Sequence, residues 1–106
     1  MGTWADHAIQ ELDAGREVIV KPRGNSMQPK VESGAEVTLT PIDDPDTLTR
    51  GDVVLVHVGR DVYLHLISAV NKDRVQISNN HGHVNGWVSK DAVYGKAIHI
   101  NNHPKS

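Results

Sequence analysis

The chain has 106 residues, with 11 Lys and Arg against 13 Asp and Glu, for a formal charge of −2. That length allows one compact domain with a modest core, and the near-balanced charge gives no general electrostatic reason to bind nucleic acid or an anionic membrane. No apolar run approaches the roughly 20 residues of a membrane span, and the absence of cysteine excludes a disulfide framework, a thiol nucleophile and cysteine-ligated zinc.

The first twenty residues contain Asp6, Glu11, Asp13 and Glu17, a composition unlike a secretory signal or transit peptide. They read instead as a helix over residues 3–14. Thr3 stands at the cap, with Asp6 three residues on, and Gly15 at the end. Trp4, Ala8 and Leu12 fall on one face with Ile9 beside them, so the helix is expected to pack on a sheet or a partner. Beyond it the apolar side chains are Val (14), Ile (7) and Leu (6), with no Phe, a bias towards β-branched residues that favours strands. Short β runs cover residues 17–21, 36–40, 52–58, 62–70, 74–78 and 93–100. Gly59-Arg60 suits a type II′ hairpin turn, and Asn71-Lys72-Asp73 reads as the next turn. Residues 41–50 are expected to form a surface loop. Residues 79–86, rich in Asn, His and Gly, read as a polar loop with Trp87 as a rim or core anchor after it. The organisation expected is a single domain over 1–106, with the helix, a β core over 17–100 and a frayed tail over 101–106. The fold class is mostly β, a small, coiled, mainly antiparallel fold with one N-terminal helix.

The segment Pro22-Arg23-Gly24-Asn25-Ser26-Met27-Gln28-Pro29 lies in a turn-rich stretch between two strands. Glycine and proline there allow a tight turn that exposes a serine. Serine becomes a nucleophile only when a neighbouring base takes its proton. His57, His65, His81, His83, Lys21, Lys30 and Lys72 are the candidates by residue type.

Five elements in order resemble the S24/S26 serine peptidase superfamily, the group of type I signal peptidases and LexA-like self-cleaving repressors. They are Gly24-x-Ser26-Met27-x-Pro29; Glu32-Ser33-Gly34-Ala35-Glu36-Val37; Leu48-x-x-Gly51-Asp52-Val53-Val54; Val62-Tyr63-Leu64-His65 with Asn79-Asn80 after it; and Tyr94-Gly95-Lys96-Ala97. The likeness spans residues 18–100. It implies the coiled antiparallel fold of those proteins and a catalytic pair with Ser26 as nucleophile and His65, 39 residues later, as general base. A histidine base is the variant of the endoplasmic-reticulum and archaeal enzymes, whereas bacterial signal peptidases and the LexA group use lysine. Neutral imidazole can take the Ser26 proton and return it to the leaving amine. Backbone N–H groups around Ser26 and Met27 would hold the oxyanion, and Asn25 and the loop of Asn79, Asn80, Asn85, Gly86 and Trp87 are further candidates for shaping the substrate cleft.

The chain departs from that pattern at three places. Leu66 follows the base where histidine-type members carry Arg. The acid of the Gly-Asp-Asn-Asn box is replaced in Ile77-Ser78-Asn79-Asn80, which leaves Ser78, His83, Asp91 or no residue to orient His65. Gly24 stands where bacterial signal peptidases have an oxyanion-assisting serine. Asp52 after Gly51 reads as a turn residue. His81-Gly82-His83 has no third ligand near it in sequence, so no metal is expected. Ala14-Gly15 matches the pair at which LexA-type proteins cut themselves, but it lies 11 residues before Ser26, and a helix end accounts for Gly15 equally well.

The expectation is a soluble, cytoplasmic serine endopeptidase acting on a protein or peptide through Ser26 and His65, without cofactor. An extended substrate would lie beside a sheet edge. The alternative is a catalytically inactive peptide-binding or dimerisation module of the same fold, and a homodimer is open in either case. No direct nucleic-acid contact and no membrane anchor are expected.

Overall fold

Alternating β-branched residues from Val18 onwards build a single seven-stranded antiparallel sheet, seen in a computed structural model that describes residues 4–103. The helix α1 spans Trp4–Asp13, and the strands are β1 (Val18–Val20), β2 (Glu36–Pro41), β3 (Val53–Val58), β4 (Asp61–Val70), β5 (Arg74–Ser78), β6 (Val84–Ser89) and β7 (Val93–Asn101). Their order across the sheet is β1-β2-β7-β3-β4-β5-β6, which leaves β1 and β6 at the edges. The expected Thr3 cap and residues 104–106 of the tail lie outside the described residues.

Helix α1 ends in a Schellman motif. The Arg16 N–H donates to the Glu11 carbonyl at 2.9 Å and the Gly15 N–H to that of Leu12 at 3.0 Å, with Gly15 at φ +82°. Ala14-Gly15 is therefore accounted for as a helix terminus. The helix buries Ala5, Ala8 and Leu12. Trp4, expected on that apolar face, sits instead at its rim and is 38% exposed.

The run Val53-Val54-Leu55-Val56 is buried throughout, because β3 is covered on both faces. Val53 and Leu55 join Leu12, Val18, Val20, Val37, Leu39 and Leu64 in one apolar cluster, with α1 over it. Val54 and Val56 join Leu48, Ile67, Val75, Ile77 and Val93 in the other. Register shifts at Thr38/Leu39, Leu55/Val56, Ile67/Ala69 and Ile77/Ser78 interrupt the ladders. Bulges of this kind bend and twist strands, and they coil the sheet so that two cores form. Gly95 is the contact point for the helix. A Cβ built there would meet the Thr40 carbonyl oxygen at 2.7 Å and both Leu12 methyl carbons at 2.9 Å.

The turns at 59–60 and 71–73 form as expected. Gly59 has φ +61° between the paired Val58 and Asp61, and Asn71 Oδ1 accepts from the N–H groups of Asp73 and Arg74 at 3.0 and 2.7 Å. Three expectations need correction. Residues 84–89, split between the expected 79–86 loop and Trp87, form the edge strand β6, where Val84, Trp87 and Val88 supply the β propensity and β5 the partner. The 41–50 loop contains a 3-10 turn at Pro45–Thr47, capped by the Asp44 side chain, and buries Leu48. Asn101 completes β7 rather than fraying, and Asn102 is tied down beyond it: its Oδ1 accepts from the Glu32 N–H at 2.9 Å, and its Nδ2 donates to the Lys30 carbonyl at 3.1 Å.

Candidate functional site

The loop between β1 and β2 presents Ser26 on a backbone held at three places. Its base is closed by the Gly34 N–H donating to the Pro22 carbonyl at 2.8 Å, and a helical turn follows Ser26, with the Val31 N–H on the Met27 carbonyl at 2.8 Å. Asn102 holds one flank. On the other, the Asn80 N–H donates to the Ser26 carbonyl at 2.9 Å, and Asn80 Nδ2 to that of Gln28 at 3.0 Å. His81 Nε2 donates to the Asn25 carbonyl at 2.9 Å, so that ring serves the loop. Met27 and Val31 plug into the apolar cluster under α1 and anchor the loop while Ser26 stays exposed.

Gly24 has φ +120°, a conformation that residues with a Cβ rarely adopt, and its N–H donates to Ser33 Oγ at 3.1 Å. This backbone geometry accounts for a glycine, rather than a serine, two residues before Ser26. Among the described residues, the Ser26 and Met27 N–H groups have no hydrogen-bond acceptor. Groups of that kind can receive a developing oxyanion.

His65 lies on β4, buried to 6% exposure. The strand's two-residue period sets Tyr63 beside it, and the two rings stack at a centroid distance of 4.7 Å and an interplanar angle of 20°. Its Nε2 is 3.2 Å from Ser26 Oγ, and its Nδ1 is 2.7 Å from Asn85 Oδ1. An amide oxygen only accepts, so Nδ1 carries the proton and the Nε2 lone pair faces the Ser26 hydroxyl. In this tautomer, His65 can act as a base towards Ser26.

Asn85 was not singled out as the orienting group by sequence reasoning. It is the unpaired residue where the β5–β6 register slips, between Gly86 opposite Ile77 and Val84 opposite Ser78. The bulge releases Asn85 from the ladder and lets its side chain turn to His65. The only sequence signal was an asparagine, a poor strand former, before Gly86 in an otherwise β-prone run. Ser78 is buried in the β4–β5 pairing opposite Leu66, and the Asp91 N–H completes a turn by donating to Ser89 Oγ. Neither is the group on His65 Nδ1. His83 acts on His65 only through its charge. Asn79 shapes the neighbouring turn, its Oδ1 accepting from the N–H groups of His81 and His83 at 2.8 and 3.0 Å. Asn80 thus supports the serine loop and Asn79 the turn beside it, and neither is among the residues that line the cleft.

Burial is the main cause that lowers the His65 pKa from its ordinary value of 6.5; the bond to Asn85 opposes it, and the charge of nearby His83 adds to it. In an NMR titration, the His65 ring should therefore protonate with a midpoint below 6.5. A midpoint at or above that value would contradict this account of the burial. The same shift links to stability. Below about pH 6.5 the unfolded chain takes up this proton more readily than the folded one, so the His65 contribution is complete above that pH and declines as the pH falls towards the folded pKa.

A cleft of about 150 Å³ opens beside Ser26 and His65. Met27, Val31, Val62 and Leu64 give it apolar walls, Tyr63 and Trp4 stand along it, and Arg23 and Glu32 bring charge to its lining. Trp4 reaches this cleft because α1 packs across the sheet beside the serine loop. Neither a scan against protein-family models nor a search of curated proteins finds a match to this chain. Among the described residues, no helix is long and apolar enough to cross a membrane.

Proposed function

We propose that this chain is a serine endopeptidase of the kind its motifs resemble, the signal peptidase and LexA group, and that it hydrolyses a peptide bond in a protein or peptide substrate. The observation that carries this reading is the relay Ser26 Oγ–His65 Nε2 at 3.2 Å and His65 Nδ1–Asn85 Oδ1 at 2.7 Å, opening on a cleft. As Ser26 Oγ attacks the scissile carbonyl carbon, its proton passes to His65 Nε2. The carbonyl oxygen, now an oxyanion, is received by the Ser26 and Met27 N–H groups. Collapse breaks the C–N bond, and His65 gives its proton to the departing amine. A water deprotonated by His65 then releases the acyl group from Ser26, which regains its proton.

A serine-reactive phosphonate tests this without a known substrate. Wild type is expected to gain one phosphonyl group on Ser26, located by peptide mass spectrometry, and Ser26→Ala is expected to gain none. Equal labelling of both proteins, or no labelling of either, would overturn the reading. The second reading, a non-catalytic peptide-binding or dimerisation module, is favoured by one observation: a neutral amide, not a carboxylate, faces Nδ1. An amide stabilises the imidazolium of the transition state less than an acid does. An unlabelled Ser26 together with saturable peptide binding in the cleft would support the module.

A further inference from the structure

The edge strand β1 is the central part of Glu17-Val18-Ile19-Val20-Lys21, a sequence that matches itself when run antiparallel. β2 covers one side of β1, and among the described residues no strand pairs with the other. Such an edge offers a row of backbone donors and acceptors to another strand. Ile19 is 62% exposed between the buried Val18 and Val20, so it stands on the open face of the sheet. By the two-residue period Glu17 and Lys21 share that face. Lys21 Nζ lies 3.7 Å from Glu36 Oε2 across the β1–β2 pair.

We propose that the occupant of this edge is a second copy of the chain, paired antiparallel through β1 about a two-fold axis at Ile19. In that register Ile19 meets its own copy, Val18 meets Val20 of the other chain, and Glu17 meets Lys21 at both ends. Each Lys21 then lies between its own Glu36 and the Glu17 of the other copy, so a row of three alternating charges crosses the joint at each end. Parallel pairing would set Glu17 on Glu17 and Lys21 on Lys21, so the charges select the antiparallel register. Charged residues on sheet edges commonly prevent such pairing. Here their order, negative before and positive after the strand, permits it. The contact is isologous and closes at two copies. It spans only about five residues a side, so the dimer forms in a concentration-dependent manner. The proposal is independent of the chemistry at Ser26.

The test is sedimentation velocity over about 10 μM to about 1 mM, with Glu17→Lys and Lys21→Glu variants checked for folding by circular dichroism. Wild type should shift from monomer to dimer. Each single variant opposes like charges at both ends of the pairing and should dimerise about tenfold more weakly. An equimolar mixture of the two variants restores opposite charges at both ends and should recover the wild-type dimer. A wild type that stays monomeric throughout overturns the proposal and leaves the edge to a peptide. Variants that dimerise as well as wild type, or a mixture that fails to recover, overturn it by placing the contact elsewhere.

Discussion

Replacing His65 with alanine is expected to slow phosphonylation of Ser26 by about 10²- to 10⁴-fold, the usual contribution of a positioned general base. The reason is geometric: Nε2 is the acceptor facing Ser26 Oγ, at 3.2 Å. Asn85→Ala should cost less, about ten- to a hundredfold. It removes one hydrogen bond to a ring that becomes cationic as Ser26 reacts, and bonds to charged groups are worth about 1.5–3 kcal/mol. The two variants also differ in their pH dependence. The reactive form is neutral His65, whose pKa burial holds below 6.5. The acid limb of the wild-type rate profile should therefore lie below that value. Because the bond to Asn85 raises the pKa, Asn85→Ala should move the limb further down, and Asn85→Asp, which places a carboxylate beside Nδ1, should move it up. If Asn85→Ala left both the rate and the limb unchanged, Asn85 would not be the group that orients His65.

Gly95→Ala is expected to destabilise the fold by about 1–3 kcal/mol, the usual range for overpacking. Glycine-to-alanine changes in strands often stabilise, since alanine loses less backbone entropy on folding. Here the new methyl would lie 2.7 Å from the Thr40 carbonyl oxygen, which β2 holds in place, and 2.9 Å from the Leu12 methyl carbons. Helix or sheet must therefore shift. A thermal melt should show the loss, at about 4–8 °C per kcal/mol for a domain near this size. In the Leu12→Ala/Gly95→Ala double variant the methyl contact disappears, so the combined loss should be smaller than the sum of the two single losses. A melting temperature for Gly95→Ala equal to or above wild type would show that the helix does not rest on Gly95. The helix also carries Trp4 to the cleft, so a displaced helix would reshape the site as well.

Much of the fold was legible in the residues, because the rules involved act over a few positions. β-branched alternation marked six strands to within one residue at each end. Gly15 marked the helix end and Gly59-Arg60 the first hairpin. The missed strand, β6, shows where local rules stop. Asn85 and Gly86 disfavour strands, and the segment is extended because β5 pairs with it. Tertiary pairing overrode propensity there. Asn102 escaped notice for a related reason, since what orders it is a loop some 70 positions earlier.

At the site the division is similar. The motif around Ser26 and the resemblance it carries named Ser26 and His65 as partners, and the glycine and prolines marked an exposed turn. By itself the sequence determined six of the seven strands, the two hairpin turns, the small apolar core and the candidate pair of Ser26 and His65. Only the tertiary structure decided which nitrogen of His65 faces Ser26 and that Asn85, rather than Ser78, His83 or Asp91, lies on the other. It also decided that Asn80 and Asn102 hold the serine loop from opposite flanks. The physical reason is register. Side chains alternate between faces at every residue, so a one-residue slip at Ile77/Ser78 changes which group reaches the imidazole. That slip depends on the packing of the whole sheet.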